Sequence, residues 1–319
     1  MEIDSKDVMK SILRNLAWNR NVAQGALPDP REYQPALPLP PGYSKGSILE
    51  ALCTTTIDGS LSGEFRGYVT ADCERFLRTL ELVPEGRGDL LEIGGNPYFT
   101  TLLLCKFRPD YRIHITNYFN GGPRTESQHV HFGGFDGVPE KHDFVFQNLN
   151  IEEWVFPYES GQMDVVVFGE VLEHMTNDPL HAIKEIARVL KPNGTLVLTT
   201  PNAARLENVL ALLEGRNLYD PYSAYGPYGR HNREYTRDEL HRLVTFCGFE
   251  VEASYTANVH SDIPATLVDK GAVAAALGSV KNRQYDLGQY LFTRWRKSGP
   301  CGTRRPAWLY RSYPEHELT

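Results

Sequence analysis

Residues 163–202 read MDVVVFGEVLEHMTNDPLHAIKEIARVLKPNGTLVLTTPN, and the fold class turns on this stretch. MDVVVFGE is a continuous apolar run, the pattern of a strand buried on both faces of a parallel sheet. DPLHAIKEIARVL then spaces its apolar residues as a helix, which Lys191, Pro192, Asn193 and Gly194 stop. TLVLTTPN returns to a strand. Working outward, DLLEIGG at 89–95, YRIHITNYF at 111–119 and DFVFQNL at 143–149 are strands, with YFTTLLLCKF a helix between the first two. Downstream, TRDELHRLVTFCG is a helix with Thr236 as cap and Glu239 in the box position, and FEVEASYTA and QYLFTRWRK are closing strands. Such alternation predicts an α/β fold: a doubly wound, seven-stranded, mostly parallel sheet.

Residues 1–85 read as an N-terminal helical and proline-rich extension. Residues 3–18 can form an amphipathic helix, Pro28 to Pro41 an extended strap, and Thr70 can cap a helix running to about Leu82. This extension either covers the acceptor side or mediates contacts in a homo-oligomer. Residues 86–319 form the main domain, with an insertion at about 203–235 and a basic, proline-containing tail after Arg294 that reads as a surface strap.

Across the 319 residues, 33 Lys and Arg face 40 Asp and Glu, a formal charge of −7. A chain that coats nucleic acid or an anionic membrane needs a basic face, so neither partner is expected. Five scattered cysteines, Cys53, Cys73, Cys105, Cys247 and Cys301, form no CxxC or Cys/His cluster and read as reduced thiols. The charged N-terminus does not suit a signal peptide, and no apolar stretch nears the ~20 residues of a membrane span, so the cytoplasm is the expected location.

In doubly wound sheets ligands bind beyond the carboxyl ends of the strands. Glu92 to Asn96, Asn117, Asn148 and Phe168 to Glu170 are therefore expected around one crevice. Gly94 and Gly95 let a backbone approach a ligand closely, although an ordinary tight turn explains E-x-G-G-N equally well. Residues 170, 173 and 174 are spaced i, i+3, i+4, so on a helical turn Glu170, Glu173 and His174 share a face. The segment LYDPYSAYGPYGRHNREY carries five tyrosines, which read either as flat faces for a sugar or aromatic acceptor or as an aromatic plug. Arg205, Arg216 and Arg230 either receive an acidic group or form a solvated face.

Taken in order, these motifs resemble class I S-adenosylmethionine-dependent methyltransferases over roughly residues 86–255, most closely the bacterial members associated with polysaccharide or natural-product biosynthesis. The resemblance implies S-adenosyl-L-methionine as cofactor. Glu92, Gly94, Gly95 and Asn96 match the turn facing its methionine part, and Asn117 the ribose position. Asn148 and Leu149 match the pair at adenine, and Phe168 and Gly169 lie along the methionine chain. The turn departs from the family pattern: Asn96 and Tyr98 stand where its second and third glycines fall, and Asn117 replaces the usual acid.

E-x-x-E-H at 170–174, followed by H-x-x-E-Y-T-R at His231, resembles the metal-dependent 2′-O-methyltransferases of small RNAs. A related E-x-x-E-H occurs in ubiquinone-pathway O-methyltransferases. That resemblance implies a divalent ion (Mg, Mn, Fe or Zn) on Glu170, Glu173, His174 and His231, with Glu173, His174 and His231 as the catalytic group. The alternative keeps His174 as a lone general base without a metal. The expected reaction is methylation of a hydroxyl on a sugar, glycan or small natural product. Methylation of an amine or carboxylate, a non-catalytic binding protein, and an RNA 2′-O-methyltransferase stand as alternatives.

Overall fold

The computed structural model describes residues 36–61, 63–260, 268–280, 283 and 285–319. The expected helix at 3–18 and the proline stretch up to Pro35 lie outside these residues. Helices α1 (Lys45–Cys53) and α2 (Arg66–Leu82) flank a two-residue strand, β1 (Thr56–Ile57). Then follow β2 (Gly88–Ile93), α3 (Phe99–Phe107), β3 (Tyr111–Asn117), β4 (Arg124–Phe132), β5 (Glu140–Asn148) and β6 (Met163–Gly169). Next come α4 (Pro179–Val189), β7 (Leu190–Pro201), α5 (Leu206–Leu213), α6 (Arg237–Phe246), β8 (Phe249–Ala257), α7 (Lys270–Gly278) and β9 (Tyr290–Lys297).

The strands form one sheet of nine in the order β1-β4-β5-β3-β2-β6-β7-β9-β8, not seven. Its central five, β5-β3-β2-β6-β7, run parallel, and the flanking pairs are antiparallel, so the sheet is mixed rather than mostly parallel. The two unforeseen strands are β1 and β4. RTESQHVHF in β4 is polar and largely exposed, which hides it from an apolar-run reading.

Alternation along the central strands feeds two cores. Leu90, Val165, Val167 and Val197 face α1, α2 and α3, with Leu52, Phe76, Leu77, Leu80 and Leu103. Leu91, Ile93, Val166, Phe168, Leu196 and Leu198 face the other way, onto Leu180, Ile183 and Ile186 of α4 and Leu240 and Leu243 of α6. Each large apolar side chain buried this way contributes about 1.5–3 kcal/mol. Residues of α1 and α2 thus belong to the same core as β2. Helix α2 starts at Arg66 rather than at a Thr70 cap. Thr236 and Glu239 do form the expected capping box on α6.

The tail after Arg294 is anchored. Asp178, the N-cap of α4, accepts from the Tyr310 hydroxyl at 2.6 Å and from Arg305 at 2.7 Å. No helix among the described residues is long and apolar enough to cross a membrane.

Candidate functional site

Parallel strands β2, β3, β5, β6 and β7 bring their carboxyl ends to one edge of the sheet, and two adjoining clefts open there. Both are lined by Ile93 and Gly94. One, of about 610 Å³, is walled by Thr116, Asn117, Tyr118, Leu149, Ile151, Val171, His174 and Tyr228. The other, of about 540 Å³, lies between the Glu92–Pro97 turn, Gly169, Glu170, Thr199 and the α2 residues Tyr68 and Arg75.

The turn between the clefts depends on its glycines. Gly94 has φ +77°, and a Cβ there would stand 2.6 Å from Val171 Cγ2. A Cβ on Gly95 would stand 2.8 Å from Ile115 Cγ2. Tyr98, at the place of the third glycine, also adopts a left-handed φ of 71° and is wholly buried, stacked on Phe144 at 4.9 Å. Glu92 is buried and accepts from Thr101 Oγ1 at 2.6 Å; burial pushes its carboxyl up to about 7.

The asparagines at the strand ends are committed to the protein. Asn117 Oδ1 accepts from the Asn96 N–H at 2.9 Å and its amide donates to the Tyr98 hydroxyl at 3.1 Å. Asn148 is buried and holds the 119–122 loop: its Oδ1 accepts from Phe119 N–H at 2.7 Å and its amide donates to Asn120 O at 3.0 Å. Asn148 therefore supports the cleft from behind, whereas Leu149 lines it. Phe168 is likewise core rather than wall, with its strand neighbour Gly169 at the cleft.

At the mouth of the larger cleft, Glu173, His174 and His231 each offer one ligand atom, all within 4.8 Å of one another. The imidazole rings of His174 and His231 are 5.0 Å apart, edge to face. Glu173 is fully buried; its Oε2 accepts from Thr200 Oγ1 at 2.9 Å, while Oε1 has no hydrogen-bond partner and lies 3.8 Å from His174 Nε2. His174 Nδ1 donates to the Arg230 carbonyl at 3.0 Å, which leaves the Nε2 lone pair open. Burial and then the charge of His231 lower the His174 pKa, favouring the neutral ring. His231 is raised: burial opposes its charge, but Glu234, 3.2 Å from Nδ1, and the Glu173 carboxylate outweigh that.

Glu170 does not join this group, contrary to the i, i+3, i+4 reading. Its φ of 55° ends the strand in a left-handed kink, and only Leu172–His174 form a short 3-10 turn, so no common helical face exists. Its N–H donates to Thr199 O at 2.9 Å and its Oε1 accepts from Thr199 Oγ1 at 2.8 Å, which turns it into the other cleft. Burial, then the Glu173 charge, push its carboxyl up to about 8.

The tyrosine loop divides. Tyr228 reaches the cleft, accepts from Asn150 Nδ2 at 2.9 Å and meets Tyr118 edge-on at 5.4 Å, while Tyr235 is core. Tyr219, Tyr222 and Tyr225 are exposed. The three arginines have partners within the protein: Arg205 pairs with Glu234, Arg216 with Glu214, and Arg230 lies over the Tyr222 ring. Sequence reasoning missed Arg75 and Tyr68, because α2 was read as part of an extension covering the acceptor side or mediating oligomer contacts, with none of its residues singled out for the crevice.

Residues 65–254 match the family described as "Methyltransferase domain". Over 96 residues the chain is 33% identical to a protein of Mycolicibacterium smegmatis named "Probable S-adenosylmethionine-dependent methyltransferase", covering 30% of this chain and 32% of that one. A Mycobacterium tuberculosis H37Rv protein of the same description is 33% identical over 93 residues, 29% of each. The chain thus spans about a third of the length of the curated relatives it matches. In structure it is similar to a SAM dependent methyltransferase from Archaeoglobus fulgidus, with TM-score 0.46 and 14% identity over 72% of this chain and 94% of that one.

Proposed function

Because the chain belongs to the methyltransferase-domain family, we propose that it transfers a methyl group from S-adenosyl-L-methionine to a hydroxyl oxygen of a sugar, glycan or small natural product. The observation that carries this reading is the pairing of a glycine-turn cleft with a carboxylate–imidazole group at its mouth. Close packing at Gly94 and Gly95 lets the backbone approach a ligand, and the apolar wall of Leu149, Ile151 and Tyr118 suits an adenine ring.

The donor, when bound, supplies an electrophilic methyl on a sulfonium. The protein's part is alignment, since in-line displacement depends on the position of the nucleophile. His174 Nε2 accepts the acceptor's hydroxyl proton; its Nδ1 hydrogen bond to Arg230 O fixes the tautomer that makes this possible. Tyr228 gives the acceptor an aromatic face beside that nitrogen. The residues also fit a divalent ion: the orphan Glu173 Oε1 is a buried acceptor facing two imidazoles. Glu173, His174 and His231 would hold it, His174 Nε2 then binding the ion instead of taking the proton, and it would lower the pKa of a bound hydroxyl. Mixed N/O ligation suits Mg²⁺, Mn²⁺, Fe²⁺ or Zn²⁺ alike.

The test is calorimetry with S-adenosylhomocysteine, followed by transfer of labelled methyl to a panel of hydroxylated glycans and small metabolites, with and without chelator. One-to-one micromolar binding and chelator-sensitive labelling support the full reading. Labelling that survives both chelator and His174→Ala points instead to an amine or carboxylate acceptor. A second reading, a non-catalytic binding protein, is favoured by one observation: Asn117 spends its amide on Asn96 and Tyr98. Absence of S-adenosylhomocysteine binding supports that one.

A further inference from the structure

Two Cys-Gly dipeptides, Cys247-Gly248 after α6 and Cys301-Gly302 in the tail, are distant in the chain and packed together in the fold. Backbone hydrogen bonds join the two segments around the cysteines. The Gly302 N–H donates to Phe246 O at 3.0 Å, and the Ser298 and Gly299 N–H groups donate to Gly248 O at 2.9 Å. Both glycines permit this approach. A Cβ on Gly248 would stand 2.3 Å from Gly299 O, and one on Gly302 would stand 2.3 Å from the Phe246 ring.

Held in this way, the two thiols meet. All five cysteines are free, and the Cys247 thiol donates a hydrogen bond to Cys301 Sγ. Sulfurs in such contact can close to a disulfide by side-chain rotation, without the backbone movement that a distant pair needs. Their surroundings are unequal. Cys247 is wholly buried, whereas Cys301 is half-buried against the same core. Lys184 of α4 donates to Thr303 O at 3.2 Å, two residues from Cys301. The bond from Cys247, and then the Lys184 charge, lower the Cys301 thiol against its burial; the same bond and burial raise Cys247. A partly exposed thiol beside a cation, backed by a buried one, is the arrangement of an attacking and a resolving cysteine.

We propose that Cys301 and Cys247 are a redox pair, oxidised by a low-molecular-weight disulfide, and that the bond they form fastens the tail to the end of α6. The Cys301 thiolate attacks one sulfur of the oxidant and expels the first small thiolate. Cys247 passes its proton to that thiolate, attacks Cys301 Sγ and expels the second, which takes the proton Cys301 had lost. One S–S bond breaks and one forms, so two protein thiols are oxidised and the oxidant leaves as two thiols. The tail already holds Asp178, the N-cap of α4, through Tyr310 and Arg305. Fixing the root of the tail secures that cap against local opening.

The test treats the full chain with glutathione disulfide and counts thiols in denaturant. The five free thiols should fall by two, with one cross-linked peptide pairing residues 247 and 301 by mass spectrometry. The melting temperature should rise by ~5 °C or more, and dithiothreitol should reverse both changes. Cys247→Ser should stop at a mixed disulfide on Cys301, one glutathione heavier, while Cys301→Ser should leave Cys247 unmodified in the folded chain. A full thiol count after treatment, a bond between other cysteines, or a melting temperature that oxidation does not move overturns the proposal. If Cys247→Ser does not melt cooperatively, Cys301→Ser at the less buried position decides the order of attack: glutathione on Cys247 in that variant overturns it. No arm of the test depends on the methyl-donor reading.

Discussion

Asn117 and Asn148, at the ends of β3 and β5, and the Glu173–His174–His231 group, after β6 and beyond α5, occupy the same edge of the sheet in opposite states. The asparagines have spent their hydrogen-bonding capacity inside the protein, on the Asn96–Tyr98 turn and the 119–122 loop. The second group has capacity left open: an orphan carboxylate oxygen on Glu173 and the Nε2 lone pair of His174. A buried acceptor without a partner carries a penalty of ~1–3 kcal/mol, so its presence beside two imidazoles is itself a pointer to function. Matching a family position thus differs from having a side chain free to serve it.

Gly94→Val strikes the point between the two groups and should have the largest effect. A valine there meets Val171 and needs an unfavourable φ, so S-adenosylhomocysteine binding should fall below detection in calorimetry while the fold is retained by circular dichroism. Tight binding in this variant would show that the ligand lies elsewhere. His231→Ala should lower turnover by ~100-fold, as for loss of a ligand or reacting group, with the S-adenosylhomocysteine Kd within ~2-fold. Full activity would remove the open group from the mechanism.

Asn117→Ala should act on stability first, by ~1–3 kcal/mol, the scale for stranding the buried groups it now satisfies. A lowered melting temperature with at most ~10-fold weaker binding keeps the comparison. An unchanged melting temperature with a much larger loss of affinity would break it, because Asn117 would then be a ligand group. Tyr228→Phe should have the smallest effect, ~1 kcal/mol or less on denaturant unfolding, from one part-buried hydrogen bond with Asn150.

The central sheet was legible because Leu90–Ile93, Val165–Phe168 and Leu196–Leu198 are buried on both faces and leave an apolar signature that only Glu92 interrupts. Strand β4 was not, since its RTESQHVHF is solvated and owes its conformation to pairing with β5. Glu173 and His174 could be singled out from their spacing and His231 from the family resemblance, and the structure brings the three together. Glu170 stands apart from them because spacing presumes a regular helix, and its backbone at φ 55° is not helical. Arg75 was hidden for another reason: a lone arginine on an amphipathic helix reads as solvent-facing, and only tertiary packing against Phe76 and Tyr290 shows otherwise.

Two segments more than fifty residues apart are joined at the open group by a small backbone zipper. The Glu173 carbonyl accepts from Asn232 N–H at 2.8 Å and Arg233 N–H at 3.1 Å, and the Asn232 amide donates to the His174 carbonyl at 2.8 Å. With His174 Nδ1 on Arg230 O, the two imidazoles ride on one stitched unit. The ordering entropy of bringing them together is therefore met once, during folding, and not again at each encounter with a ligand. Such a site is preorganised, and its affinity reflects the quality of its contacts more than the freedom they remove.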